Sequence, residues 1–284
     1  MPRKDMGGLI RLVPLKDLQR FVESEVKKDA GVERRFLSRF GGLDGAPRVD
    51  YREQVEIMFA DVDYMTPYQN RVRFTDFFRA AKARERQGQA AEAIRICLEV
   101  SEAIRSNYHK VDDSSGYYAE AFSKAVAEMA ACIGRQKAVS EKRPHMEYLH
   151  RQFLTSDSDI TEGVYEQALI NACTGRQDLE YLRGLNERAL PEEAVSKRTK
   201  GYYRAVGAVL LQAEVLEEMG EPAAAAELFD KHYRGSIGVC GEYVEMLIRQ
   251  GDLAKARDVL EDARGIFPRH ELEYISRLAD GAAG

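Results

Sequence analysis

Asp112, Asp113 and Ser114, followed by Gly116, form a compact run of oxygen donors, and His109 lies about one turn upstream. Oxygen-rich groups of this kind suit hard cations such as Mg2+ or Ca2+. The same residues also suit a helix start. Asp and Ser side chains accept orphan backbone N–H groups there, and the helix dipole favours a carboxylate. Such start signals are common, so we read the turn as a cap and leave open whether Asp113 does anything more. Asp157, Asp159 and Thr161 share the spacing of an EF-hand loop. Glu162 stands where that loop needs Gly, and Ala168 where it needs its closing Glu, which excludes the motif.

Arg71, Arg73, Arg79, Lys82, Arg84 and Arg86 make the best electrostatic candidate, with Phe74, Phe77 and Phe78 interleaved. That combination suits phosphate contacts with base stacking. At helical spacing, however, the phenylalanines are expected toward the core and the arginines toward water. Lys197, Arg198 and Lys200, followed by Tyr202, Tyr203 and Arg204, carry the same two readings. Solvated faces are the expectation in both places. No arrangement for covalent chemistry assembles: GxSxG, HExxH and P-loop patterns are all missing. His145 and His150 are five apart and do not share a helical face. The 14 tyrosines could line a groove or simply pack in a core.

The 4 cysteines, Cys97, Cys132, Cys173 and Cys240, show no CxxC or CxxH spacing. Neither a zinc knuckle nor a disulfide framework is expected, and Cys97 and Cys173 fit apolar helical runs as small hydrophobes. No catalysis, metal or cofactor is expected, and a reducing, cytoplasmic setting follows as the default. The chain has 284 residues, a net charge of −5 and 31% charged residues. That balance argues against wholesale nucleic-acid or membrane binding but leaves local basic patches open. The N-terminus lacks the long apolar stretch of a secretory signal. The longest apolar run, Ala205 to Leu211, is far short of the ~20 residues of a membrane span.

Nearly every segment carries helical spacing. Leu15, Leu18, Val22 and Val26 mark a first helix, and Val32, Phe36, Leu37 and Phe40 a second that Gly41-Gly42 ends. A loop at 42–48 precedes a helix from about Asp50 to Tyr64. Thr66-Pro67, Pro144 and the Asp159-x-x-Glu162 capping box read as further helix starts. Gly88, Gly220 and Gly251 each divide a pair of helices. Beyond each glycine a small residue is followed by a larger one: Ala93 and Cys97, Ala225 and Phe229, Ala256 and Leu260. Ala263 and Pro268 then close the last unit.

This pattern is similar to the second half of a tetratricopeptide (TPR) repeat, whose signature runs W-x2-L-G-x2-Y, then A-x3-F, then P, over ~34 residues. Gly220 and Gly251 stand 31 residues apart, slightly short of that period. Val209, Ala213, Cys240 and Val244 replace the Trp and small-residue positions, so each first helix departs from the consensus while each second helix keeps it. The segment Leu98 to Glu120, through KVDDSSGYYAE, resembles the helical region of SWIM-type zinc-finger proteins of bacteria and archaea. There a DDSDG-like turn joins two TPR-like helices. The N-terminal LVPLKDLQRFVESEVKKDAGVERRFLSRFG is similar to the helix pair that opens that region. The resemblance covers residues 9 to about 270, but the CxC and CxH of the zinc finger are missing. A nucleic-acid role carried by that finger therefore has no support in this chain.

The expected fold is all-α: a right-handed α-solenoid of stacked antiparallel helix hairpins, with about a dozen helices or slightly more. One helical-repeat domain is expected over 9–280, after a loosely ordered 1–8, with a sub-boundary near 41–49 and the most regular hairpins at 202–268. The expected function is a non-catalytic protein–protein interaction scaffold that holds a peptide or partner protein in a concave groove. Two alternatives are an accessory to nucleic-acid transactions working through Arg71–Arg86, and a small-molecule binder or enzyme with a pocket between hairpins.

Overall fold

Helices supply all the regular structure of the residues that the computed structural model describes, namely 10, 12–29, 31–33, 36, 50–60, 62, 72–156, 159–197 and 201–281. No strand occurs among them, and no described helix is long and apolar enough to cross a membrane. The expected helix starts and stops at 37–49 and 63–71, including Gly41-Gly42 and Thr66-Pro67, lie outside the described residues.

The chain groups into two compact units, Met1–Cys132 and Ile133–Gly284. In the first, α1 (Leu15–Lys28) carries its apolar residues on one face but buries none of them fully. α2 (Tyr51–Ala60), α3 (Thr75–Arg86), α4 (Ala90–Asn107) and α5 (Tyr117–Gly134) follow, and α4 packs against both α2 and α3. The core is aromatic at one end, where Phe59, Phe74 and Tyr118 meet with ring centroids 5.5–6.2 Å apart.

The second unit contains α6 (Val139–Thr155), α7 (Val164–Ala172), α8 (Arg176–Glu187), α9 (Tyr202–Glu218), α10 (Pro222–His232), α11 (Ile237–Arg249), α12 (Leu253–Arg264) and α13 (Arg269–Gly281). Two expected starts are corrected here. α6 begins at Val139, not at Pro144, which sits exposed near the start of the helix. Pro144 is the sixth residue of the helix, so it forgoes the bond its N–H would have made to the Ser140 carbonyl and its ring crowds that carbonyl. Asp159–Thr161 form a 3-10 turn, and α7 starts only after Gly163, without a side-chain cap. The Asp159/Glu162 capping box does not form.

One turn is built three times. α3 passes to α4 at Gly88, α9 to α10 at Gly220 and α11 to α12 at Gly251, with φ of +76°, +75° and +78°. In each case the residue after the glycine donates its N–H to a carbonyl five residues back. The pairs are Gln89 to Arg84 at 2.9 Å, Glu221 to Leu216 at 2.8 Å and Asp252 to Leu247 at 2.9 Å. This is the Schellman closure of a helix end, and it needs the left-handed conformation that glycine adopts without penalty. Five and nine residues beyond each glycine come Ala93 and Cys97, Ala225 and Phe229, and Ala256 and Leu260, all buried. Ala263 is fully buried as well, whereas Pro268 is exposed one residue before α13. The alanines matter because a side chain of one methyl group lets the facing helix approach closely. A Cβ at Gly220 would meet nothing within 4 Å, so Gly220→Ala carries backbone strain alone. It is expected to cost about 1–2 kcal/mol in chemical denaturation, and a cost near zero would mean the turn relaxes.

Within the second unit, helices two apart run parallel in register. Lys142 and His150 of α6 meet Asp178 and Asn186 of α8, each pair 36 residues apart. Glu217 of α9 meets Arg249 of α11 at 2.9 Å, and the Tyr202 hydroxyl bonds Gly235, just ahead of α11, at 3.3 Å.

Candidate functional site

Asp113 is fully engaged as a cap. Its Oδ1 accepts the Tyr118 N–H at 2.8 Å and its Oδ2 the Ala119 N–H at 2.9 Å, satisfying two orphan donors of α5. Asp112 Oδ1 accepts the Ser114 N–H at 3.0 Å, and Gly116 takes φ +71° to deliver the chain into the helix. Both Asp113 oxygens thus face backbone donors. No group of three or more His, Cys, Asp or Glu side chains is placed to hold a metal ion among the described residues.

The basic run divides by depth. Arg71 lies outside the described residues; Arg73, Arg79, Lys82 and Arg86 are exposed. Arg84, expected in water, is instead 2% exposed, with its Nη1 on the Gln87 and Gln89 side chains at 3.3 and 3.4 Å. The reason is register: α3 turns Phe77, Ala80, Ala81 and Arg84 onto one buried stripe. Beside it, Arg95 bonds both Glu92 and Glu99 and lies 4.9 Å from the Tyr51 ring centroid. Burial, then Glu92, pushes the Tyr51 hydroxyl up to about 12. Phe74 and Phe77 are buried as expected, but Phe78 is only half-buried, with Lys124 of α5 5.0 Å from its ring centroid. Between α3 and α5 lies a groove of about 320 Å³. Arg79, Lys82 and Lys124 line it, but so do Glu120 and Glu128, and Arg79 is paired with Asp76 at 3.3 Å. The groove is of mixed charge, not the uniformly basic track that a phosphate backbone favours. Of the second basic cluster, Lys197 and Arg204 are exposed, and Arg198 and Lys200 lie outside the described residues.

Sequence reasoning did not find the buried polar ladder of the second unit. Lys142 and Asp178 form an ion pair of 2.6 Å with side chains 3% and 5% exposed. Lys142 also donates to Thr174 Oγ1 at 2.7 Å, and the Thr174 N–H reaches Asp178 Oδ2 at 2.9 Å. Burial pushes the Asp178 carboxyl up, but the bonds from Lys142 and Thr174 outweigh it and hold it below the usual range. Two turns along, His150 Nε2 lies 3.1 Å from Asn186 Oδ1, and Asn186 Nδ2 donates to the Ala208 carbonyl and to Gln212 Oε1. Since Asn186 spends its amide hydrogens on α9, its oxygen accepts from His150, so Nε2 carries a hydrogen. Burial lowers the His150 pKa, and the Asn186 bond opposes it only in part. The available signal was the polar–apolar–polar stripe 142/146/150, which recurs 36 residues later at 178/182/186.

The other feature missed is a row of carboxylates. Glu166 of α7, Glu214 of α9 and Glu242 of α11 lie close enough to repel one another. Burial first, then Glu214 and Glu242, pushes Glu166 up to about 7. Burial also raises Glu214 and Glu242; among their neighbours Glu217, Glu218 and Glu245 add repulsion, and Arg249 alone relieves Glu242. A carboxyl whose pKa is raised on folding lowers stability once it ionises, and the loss fades as pH falls from about 7 toward the unfolded value of 4.5. Glu166→Gln is therefore expected to raise stability at pH 8 by about 1–3 kcal/mol and to change little at pH 4.5. Denaturant melts at the two pH values check this, and equal effects at both would remove the repulsion argument.

Glu166 also lines a groove of about 490 Å³ between the end of α6, the start of α7 and the start of α9. Phe153, Tyr165 and Tyr203 supply its rings, and Asp159, Glu162 and Glu166 its charges. No family model matches this chain, and no curated protein or solved structure resembles it at a significant level.

Proposed function

We propose that this chain is a non-catalytic interaction scaffold whose helical hairpins stack as a TPR-like α-solenoid and hold a peptide or partner segment along one face of the stack. The observation that carries this reading is the parallel pairing of helices two apart, offset by 36 residues between α6 and α8 and by 32 to 33 between α9 and α11. Elements repeated at a similar step present comparable side chains at intervals, which suits an extended ligand better than a single reacting centre. The recurring glycine turns support the same reading, because identical closures give hairpins of the same geometry. Membership in the SWIM-associated helical group remains a proposal resting on the KVDDSSGYYAE turn and the N-terminal helix text. A cytoplasmic location is proposed on cysteine usage alone.

A displayed random-peptide library panned on the full chain, followed by hydrogen-exchange mapping of the best binders, tests the scaffold. Protection of α7, α9 and α11 is expected. Failure to enrich any peptide, or protection confined to the first unit, would count against it.

A further inference from the structure

We infer that the groove between α6, α7 and α9 seats a lysine or arginine side chain of the partner, so that the scaffold selects basic segments. The inference deepens the interaction reading and rests on it.

The groove walls combine two features that favour an organic cation. Phe153 and Tyr203 offer ring surface, and Tyr203 is 87% exposed, so its ring is open to a ligand. An aromatic face attracts a diffuse cation, most of all where the site is partly desolvated. Asp159, Glu162 and Glu166 lie in the same lining, which contains no lysine or arginine among the described residues; Arg204 lines the adjoining groove. Ser156 adds an independent sign. It lines this groove and the adjoining one of about 330 Å³, and its Oγ is shielded from solvent with no hydrogen-bond partner among the described residues. A shielded hydroxyl without a partner is costly, and an entering ammonium or guanidinium would satisfy it.

Beyond the groove the negative charge continues through Glu214 and Glu242. Their mutual repulsion is present before any partner arrives, and a run of positive charge relieves it on docking. The same carboxylates do not converge as a metal site would require, and a bare divalent ion would gain nothing from the rings. Gly207, in the lining of the adjoining groove, makes room for the Phe153 ring: a Cβ there would lie 3.2 Å from it, so a larger residue would displace that wall.

The test uses fluorescence anisotropy with the full chain and three labelled ten-residue peptides: one alternating Lys and Gly, its acetyl-lysine counterpart, and one alternating Glu and Gly. Spermine serves as a competitor. The lysine peptide is expected to bind and to weaken steeply with salt. Acetylation should abolish binding, and Tyr203→Ala and Glu166→Gln should each weaken it about threefold to tenfold. Tyr203 is exposed and Glu166→Gln is expected to stabilise, so neither loss can be ascribed to unfolding. Equal affinity for the acetylated peptide, unchanged affinity in both variants, or displacement by spermine at the peptide's own concentration would overturn the inference. If a neutral or acidic peptide binds α7, α9 and α11 while the lysine peptide does not, the cation pocket fails and the scaffold stands. If no peptide of any composition binds, both fail.

Discussion

Asp178→Ala is expected to destabilise the protein by about 3–5 kcal/mol, because it strands the Lys142 ammonium in a site where its side chain is 3% exposed. In a chain of this size that corresponds to a melting temperature lower by roughly 5–8 °C. The loss should greatly exceed that of Arg176→Ala, which breaks exposed pairs to Glu180 and Glu221 worth at most about 1 kcal/mol. The cost lies in the stranded charge and not in the attraction itself. A double variant, Lys142→Met with Asp178→Leu, should therefore recover most of the stability. Acid gives a second readout. The Asp178 carboxyl is held below its ordinary range on folding, so its contribution is full above the unfolded value of 3.8 and disappears as pH falls through the folded one. Denaturant melts of the single and double variants check both claims. A single-variant loss below about 1 kcal/mol would mean that water reaches Lys142 after all.

That ladder also shows where reading the sequence stops. Gly220, Ala225 and Phe229 announce themselves because each meets a local requirement: a left-handed turn, a close helix approach, a filled gap. Gly251, Ala256 and Leu260 repeat it, and all four of these alanine and larger positions are buried. Asp113 is legible for the same reason, since a cap is satisfied within six residues of chain. Lys142 is not. Its partner lies 36 residues away, and an isolated lysine on a helix reads as solvated. Arg84 misleads similarly, because the stripe formed by Phe77, Ala80 and Ala81 carries it inside. The carboxylate row is harder still. Glu166, Glu214 and Glu242 belong to three helices, and each alone is an ordinary polar position. Only packing makes them neighbours, and only neighbours can raise one another's pKa.

Gly235→Ala is the other substitution expected to act strongly, and its effect comes from backbone against backbone. The 191–197 segment crosses the end of α10, where the Val195 N–H donates to His232 Nδ1 at 3.1 Å and Lys231 Nζ reaches the Glu192 carbonyl at 2.8 Å. Val195 is 1% exposed, part of the core with Phe229 and Tyr243. A Cβ on Gly235 would land on the Val195 carbonyl, and no side chain can rotate aside to make room. Either the crossover lifts, exposing Val195 and breaking the His232 bond, or the 3-10 turn Tyr233–Gly235 opens and shifts the start of α11. Either route should cost about 3 kcal/mol or more. The two routes differ in acid. Burial first, and Lys231 second, lower His232 to about 4, so in the wild type protonating it between pH 6.5 and 4 removes stability. If the crossover lifts, His232 is freed and that part of the pH dependence flattens in the variant. If the turn opens instead, the dependence persists and hydrogen-exchange protection is lost at the start of α11. Gly220→Ala, with no atom in its way, should show neither change, so a Gly235→Ala variant as stable as Gly220→Ala would refute the close approach.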